Sequence, residues 1–271
     1  MQDISCVGQC SMTVALPILS AWGHETCILP TALLSTHTGG FGKPVAVYFD
    51  SALKDMVLHW RENGIRFDGI LVGYLGSTAA VETAGEILDT MLAPGGVSVV
   101  DPAMADNGKL YAGFDDGYVR AMGMLCRKAD IILPNVTEAA LLSEAPYREE
   151  LDESYAAGLL EGLGHPCTLL TGVGYSGEET GVLLRDGDQV LHYSHSRIGK
   201  SYHGTGDIFA ACFTGALMRG KRKFEAARIA ANFTRTCIEK TAENPAHWYG
   251  VKFEAALPEL LRMMQADAEI P

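Results

Sequence analysis

Gly204-Thr205-Gly206-Asp207 opens the apolar run Ile208–Met218, and this stretch decides how the chain is read. Two glycines let backbone approach a ligand closely, and a helix beginning there points unpaired N–H groups and the positive end of its dipole at an anion. The pattern therefore predicts a phosphate cradle at the start of a helix. Asp207 falls in the first turn, placed to take a proton from an alcohol while neighbouring amides hold the phosphoryl group that the alcohol attacks. The plainer alternative is a glycine-containing loop followed by an acid that complements the helix dipole.

Outward from this stretch, short β-branched runs alternate with helix-length segments, the signature of βαβ units around a mainly parallel sheet. Strands are expected at 4–7, 27–32, 69–72, 97–101, 131–134 and 167–171. Helices are expected at 11–22, 51–63, 78–92, 115–128, 137–143 and 150–163. Asp186-Gly187-Asp188, between two β-rich runs at 181–185 and 190–193, signals a hairpin, and further helices begin at Thr205, Lys223 and Phe253. No linker, low-complexity run or internal repeat divides residues 1–271, so one domain is expected.

Composition narrows the function. A net charge of −12 and a pI near 5.1 argue against a nucleic-acid or anionic-membrane surface, which would need clustered Lys and Arg. Any phosphate site must then be local, built from backbone amides with or without a metal. No apolar run approaches the roughly 18 residues of a membrane span, so a cytoplasmic protein is expected. The 7 cysteines, without CxxC spacing, fit reduced thiols rather than a disulfide framework or zinc site. Cys6, Cys27, Cys126, Cys167, Cys212 and Cys237 lie in apolar contexts and are expected in the core, whereas Cys10 sits in a loop-like segment.

In open parallel sheets ligands collect beyond the carboxyl ends of strands. Polar residues follow the predicted strands in turn: Ser5, Gly8 and Gln9; then 35–42, which includes Thr38 and Gly39; then Tyr74; then 101–107; then Asn135 and Glu138; then Thr171 and Gly172. Each taken singly suits turn or capping chemistry. Together, at one edge, they favour a site. Asp101, Asn135 and Glu138 supply hard oxygen ligands suited to Mg²⁺ near phosphates, while Asn135 and Glu138 equally fit a capping box; both roles can coexist if Glu138 orients metal-bound water.

Two motifs fail on context. Gly172, Gly174 and Gly177 satisfy G-x-G-x-x-G, but a turn into a strand follows where a dinucleotide fold needs a helix. Gly199-Lys200-Ser201 resembles the end of a P-loop, but Ser194 stands where the first glycine is required.

These residues resemble the ribokinase-like small-molecule kinases, and within them the pyridoxal (vitamin B6) kinases, along nearly the whole chain. Gly204–Asp207 matches the superfamily signature. Ser35-Thr36-His37-Thr38-Gly39, Gly73-Tyr74-Leu75-Gly76-Ser77, residues 101–111 and Pro134-Asn135-Val136-Thr137-Glu138-Ala139 look like the pyridoxal kinase versions of their segments. The related hydroxymethylpyrimidine kinases usually lack the Asp106–Tyr111 loop and often end the anion motif in Cys.

The resemblance implies a three-layer α/β/α fold around a mainly parallel sheet and ATP-dependent phosphorylation of the 5′-hydroxymethyl group of a B6 vitamer. Asp207 would be the general base, with the amides of Gly204, Thr205 and Gly206 stabilising the moving phosphoryl group. Ser5, Thr38, Gly39 and Tyr74 would hold the pyridine ring. Asp101, Asp106, Tyr111, Asn135, Glu138, Thr171, Gly172 and Thr205 would serve the nucleotide, and Asp101 and Glu138 its Mg²⁺. A K⁺ requirement and a homodimer are further implications. The alternatives are a hydroxymethylpyrimidine or other small-alcohol kinase of the same fold, and a non-catalytic nucleotide or vitamin sensor. Residues 197–203 would be a flap over ATP or a connector.

Overall fold

The computed structural model describes residues 1–199 and 202–266. In chain order they form β1 (Gln2–Ser5), α1 (Met12–Ala21), β2 (Pro30–Leu34), β3 (Ala46–Tyr48), α2 (Asp50–Glu62), β4 (Phe67–Val72), α3 (Thr78–Met91), β5 (Leu92–Val100), β6 (Ala105–Asp106), β7 (Lys109–Leu110), α4 (Asp116–Cys126), β8 (Ile131–Ile132), α5 (Val136–Leu142), α6 (Glu153–Leu163), β9 (Cys167–Thr171), β10 (Glu179–Asp186), β11 (Gln189–Ser196), α7 (Thr205–Met218), α8 (Lys223–Ala242) and α9 (Leu257–Ala266). The expected alternation of strands and helices, and the expected mainly parallel sheet, are both present. No described helix is long and apolar enough to cross a membrane.

The elements group into two compact units. One comprises Phe49–Arg197 with Met1. Its six-stranded sheet runs β11-β10-β9-β8-β5-β4, with β4, β5, β8 and β9 parallel and β10 and β11 antiparallel. The antiparallel pair is the predicted hairpin, turned by Gly187 at φ 60°. Helix boundaries follow local chemistry: Ser77, Asp115, Asn135 and Asp152 each accept a backbone N–H from the helix they precede, and Gly164 ends α6 in the left-handed conformation. Ala139 and Ala140 of α5 and Leu159 and Leu160 of α6 pack with Leu170 and Leu183 of the sheet in one apolar cluster.

The other unit comprises Gln2–Tyr48 with the segment from Ile198 onward. Its three-stranded sheet runs β1-β2-β3, the first pair parallel and the second antiparallel. Helix α7 packs against α1 and α8. Trp22 is 1% exposed and lies so close over Gly215 that an added Cβ would come within 2.4 Å of its ring. Phe213 and Phe233 are fully buried, each contributing roughly 1.5–3 kcal/mol by leaving water.

The structure corrects several expectations. β1 begins at Gln2 rather than Ile4, and the chain turns soon after Ser5, with Gly8 at φ 136°, Gln9 at φ 51° and Ser11 at φ 51°. β2 begins at Pro30 rather than Cys27. Consequently Cys6 and Cys27, expected in the core, are exposed, because each lies on coil beside its strand, while loop residue Cys10 is buried. Two elements were not anticipated: β3, and the β6–β7 hairpin turned by Asn107 at φ 50° and Gly108 at φ 74°. The G-x-G-x-x-G stretch does turn into β10. Lys200 and Ser201 of the P-loop-like stretch, and of the 197–203 segment, lie outside the described residues.

Candidate active site

In the unit containing α7, Gly204 is the N-cap residue at φ 85° and ψ −1°, the left-handed conformation that suits glycine. Its backbone passes so close to the loop after β1 that a Cβ would stand 2.3 Å from the Gln9 carbonyl oxygen. Thr205, Gly206 and Asp207 then form the first turn, where backbone N–H groups have no partner within the helix. Thr205 donates its hydroxyl to the Tyr202 carbonyl at 3.3 Å, and Gly206 is exposed. The tetrapeptide thus forms a left-handed glycine turn into a helix N-terminus.

Asp207 is partly exposed as a residue, and its carboxyl group is buried. Burial raises its pKa from 3.8 to about 7, against the opposing effect of the Ser11 backbone N–H and with a smaller push from the Asp3 carboxylate. Gln2 donates from Nε2 to its Oδ1 at 3.3 Å. A carboxyl group titrating near neutrality can accept a proton at working pH and release it again.

Around the cradle, Ser5 is 1% exposed and donates its hydroxyl to Oδ2 of Asp3 at 3.2 Å. Thr38 is exposed. The Gly39 N–H donates to Nδ1 of His37 at 2.9 Å, which assigns the proton of a neutral His37 to Nε2. The His37 ring lies 4.6 Å from that of His203, and burial followed by the charge of His203 lowers its pKa. A Cβ on Gly39 would come within 2.5 Å of the His203 ring, so a side chain there would displace the pair.

The other unit brings together a second set. Asp101 follows β5 and is 9% exposed. Asn135 and Glu138 open α5 as a complete capping box. Glu138, 2% exposed, takes more than the box demands. Its Oε2 accepts the Asn135 N–H at 2.8 Å, and its Oε1 accepts the N–H of Met104 at 3.1 Å and of Ala105 at 3.5 Å. Asn135 in turn donates Nδ2 to the Ala105 carbonyl at 2.8 Å, and Thr137 accepts the Gly108 N–H at 3.0 Å. The start of α5 thus clamps the loop carrying Asp101 and the β6–β7 hairpin.

Burial, then the charge of Asp101, raises the pKa of Glu138 well above the ordinary carboxylate range. Two neighbouring buried carboxyls call for a proton or a cation to balance them, and hard oxygens of this kind suit Mg²⁺. Because three N–H groups already engage Glu138, the donor set fits Asp101 facing the ion and Glu138 orienting its surroundings. Among the described residues there is no cluster of three or more His, Cys, Asp or Glu side chains able to enclose a metal.

The remaining predicted residues of this unit divide by exposure. Asp106 is exposed, and its carboxylate accepts the Asn107 N–H at 2.8 Å and the Asn107 side-chain amide at 3.0 Å. Tyr111 is 39% exposed, with its ring 6.5 Å from that of Tyr74, which also lies 5.6 Å from Phe114. Thr171, at the end of β9, is bridged to Asn135, and Gly172 follows it exposed at φ 76°. Asp101, Asn135 and Thr171 therefore lie at the carboxyl ends of successive parallel strands, the edge the sequence pointed to.

Sequence reasoning missed Gln2, Asp3 and Ser11, the residues that surround Asp207. The signal was a polar pair at the head of an apolar strand, but placing β1 at Ile4 left Gln2 and Asp3 outside it.

Comparison with known proteins gives a consistent picture. Residues 43–251 match the family described as Phosphomethylpyrimidine kinase. The solved structure of pyridoxal kinase from Lactobacillus plantarum is 34% identical, with a TM-score of 0.88, covering 98% of this chain and 96% of that one. A Bacteroides thetaiotaomicron protein, provisionally named a phosphomethylpyrimidine kinase and crystallised with pyridoxal, is 29% identical with a TM-score of 0.87, covering 95% of this chain and 93% of that one. The pyridoxine/pyridoxal/pyridoxamine kinase of Bordetella bronchiseptica is 28% identical over 254 residues, 87% of this chain and 86% of that protein.

Proposed function

The chain belongs to the phosphomethylpyrimidine kinase family, with the ribokinase-like α/β fold, and from that premise we propose that it phosphorylates the 5′-hydroxymethyl group of a B6 vitamer with ATP. The observation that carries the reading is Asp207: an acid in the first turn behind an open glycine N-cap, its pKa lifted to about 7. In the proposed step Asp207 takes the proton of the substrate alcohol as the oxygen forms a bond to the γ-phosphorus. The bond from that phosphorus to the bridging oxygen breaks, and ADP leaves. The N–H groups of Gly204, Thr205 and Gly206 stabilise the charge that develops on the transferring group.

Asp101, Asn135 and Glu138 are assigned to Mg-ATP, with Asp106, Tyr111, Thr171, Gly172 and Thr205 on the nucleotide. Mg²⁺ would supply neutralisation of phosphate charge. Thr38, Gly39 and Tyr74 are assigned to the ring. Ser5 has its hydroxyl on Asp3 in this structure, so its contribution to the ring would require a change of partner or act through Asp3. A K⁺ requirement, a homodimer and a cytoplasmic location complete the proposal by resemblance alone.

Hydroxymethylpyrimidine as acceptor is the second reading, favoured by the family description over residues 43–251. The set of Asp207 with Asp101 and Glu138 speaks against a mere sensor, since a pure binder needs no base. ADP release with pyridoxal, pyridoxamine, pyridoxine, hydroxymethylpyrimidine or ribose, each with Mg-ATP, decides among them. Turnover of the vitamers is expected; preference for hydroxymethylpyrimidine would install the second reading, and no turnover of any alcohol would overturn both.

A further inference from the structure

The loop assigned to the ring, residues 35–42, is tied at its base, while its tip is built on two glycines. The Ser35 N–H donates to the Val45 carbonyl at 2.9 Å, and the Val45 N–H donates to the Ser35 hydroxyl at 3.0 Å. His37 donates its N–H to the Val7 carbonyl at 2.7 Å and accepts the Gly39 N–H at Nδ1. Beyond that point Gly40 at φ 83° and Gly42 at φ 80° flank Phe41, and glycines give such a tip a choice of conformations. An outside contact selects one.

That contact comes from the segment after α8. Trp248, 50% exposed, lies over Gly40 so closely that an added Cβ would stand 2.6 Å from its ring, and its ring centroid is 4.6 Å from that of Phe41. The Tyr249 ring lies 5.6 Å from that of Phe41 and 5.4 Å from that of Trp248. The segment itself is anchored: Lys252 donates its N–H to the buried Thr241 hydroxyl at 2.9 Å, and Val251 and Phe253 are buried. Its Gly250 also backs the loop after β1, where a Cβ would come within 2.5 Å of the Gly8 carbonyl oxygen. One anchored segment therefore braces both the loop bearing Thr38 and Gly39 and the loop whose Gln9 carbonyl lies against Gly204.

We infer that Trp248 is a positioning residue for the alcohol substrate, acting through Gly40 and Phe41 on Thr38 and Gly39. The inference rests on the assignment of those last two residues to the ring. With the indole in place the loop is preorganised, and binding does not have to order it. Without the indole the tip must be ordered as the substrate arrives, and that cost falls on the alcohol whose ring the loop holds. An aromatic pair of this kind corresponds to about two- to tenfold in an equilibrium.

Steady-state kinetics with Mg-ATP and pyridoxal test this in Trp248→Ala and Trp248→Phe. Trp248→Ala should raise the KM for the alcohol about fivefold and leave kcat and the KM for ATP within about twofold, and Trp248→Phe should recover most of the loss. A KM for the alcohol that stays at the parent value, or a rise shared equally by ATP, overturns the inference. A second arm approaches from the glycines. Gly40→Ala and Gly42→Ala carry similar left-handed strain, but only at position 40 does the new Cβ meet Trp248; at position 42 nothing lies within 4 Å. Gly40→Ala should therefore raise the KM for the alcohol more than Gly42→Ala, and the difference should vanish in the Trp248→Ala background. Equal effects at the two glycines, or a difference that survives loss of the indole, overturn the inference, and the glycine pair decides alone should Trp248→Ala fail to fold. If hydroxymethylpyrimidine proves to be the acceptor, it replaces pyridoxal in every arm. A parent that turns over no alcohol sinks the proposed function alone, because calorimetric binding of pyridoxal to the same variants still reads the loop; a parent that does not bind it either overturns both.

Discussion

Glu138 and Asp207 occupy equivalent places in their two units. Each stands in the first turn of a helix, and burial raises the pKa of each. Their partners differ. Glu138 accepts three backbone N–H groups, from Asn135, Met104 and Ala105, and so ties a helix start to a neighbouring loop. Asp207 accepts one side-chain amide, from Gln2, and the Ser11 backbone N–H pulls its pKa down against burial. Fixed donors tie a carboxyl into the scaffold whatever its protonation state; fewer donors leave fewer lone pairs of Asp207 engaged. The first-turn position alone does not distinguish a structural acid from a chemical one.

The comparison is broken most directly by exchanging each acid for a neutral residue. Asp207→Asn should lower kcat by about 10²-fold or more, the usual scale for losing a positioned base, while nucleotide binding changes little. Steady-state kinetics with isothermal titration of the nucleotide checks both halves. Equal turnover in variant and parent would remove Asp207 from the chemistry and erase the contrast.

Glu138→Ala should instead be a stability variant first. It strips the acceptor from three buried or partly buried N–H groups, at about 1–3 kcal/mol for each donor left without water or protein. Relief of the buried charge offsets part of this, so a net loss of about 3 kcal/mol is expected by urea unfolding. A variant as stable as the parent would mean that water replaces the carboxylate and that the clamp on the Asp101 loop is dispensable.

Much of this was legible in the chain and some was not, for identifiable reasons. The strands β9 and β4, the helices α3 and α7 and the hairpin at Gly187 declare themselves through uninterrupted apolar runs, capping residues and a glycine turn. β1 does not, because its first two residues are Gln2 and Asp3, polar side chains buried where periodicity reads loop. The β6–β7 hairpin was hidden by its two-residue strands, although Asn107-Gly108 is the strongest local turn signal available. The capping role of Asn135 and Glu138 could be read from spacing. The grip of Glu138 on Met104 and Ala105 could not, since it joins positions 34 and 33 residues apart in sequence.

Gly204→Ala sharpens the contrast at the level of the backbone. The new Cβ would meet the Gln9 carbonyl at 2.3 Å, on a residue at φ 85°, at a cost of about 1–3 kcal/mol in backbone strain alone. Relief by shifting the start of α7 would misplace the Thr205 and Gly206 amides, so kcat should fall by about 10-fold or more alongside the loss of stability. Gly172→Ala meets nothing within 4 Å and should cost less, from its positive φ alone. Equal effects at the two glycines would show that the close approach at Gly204 has no special weight.

The smallest expected effect separates electrostatics from packing at Asp207. Its folded-state pKa is raised from 3.8 to about 7, so the folded protein disfavours the ionised form relative to the unfolded chain. Stability from this group is therefore greatest below pH 3.8 and is lost as pH climbs through about 7. Asp207→Asn cannot ionise, and its amide oxygen can still accept from Gln2. Thermal unfolding should then show the variant with the higher Tm at pH 8 and the advantage shrinking toward zero near pH 4, the opposite pH trend from an acid stabilised by a salt bridge. A variant with a lower Tm than the parent at pH 8 would show that the folded state welcomes the Asp207 anion, and the distinction drawn between the two acids would have to rest on donor geometry alone.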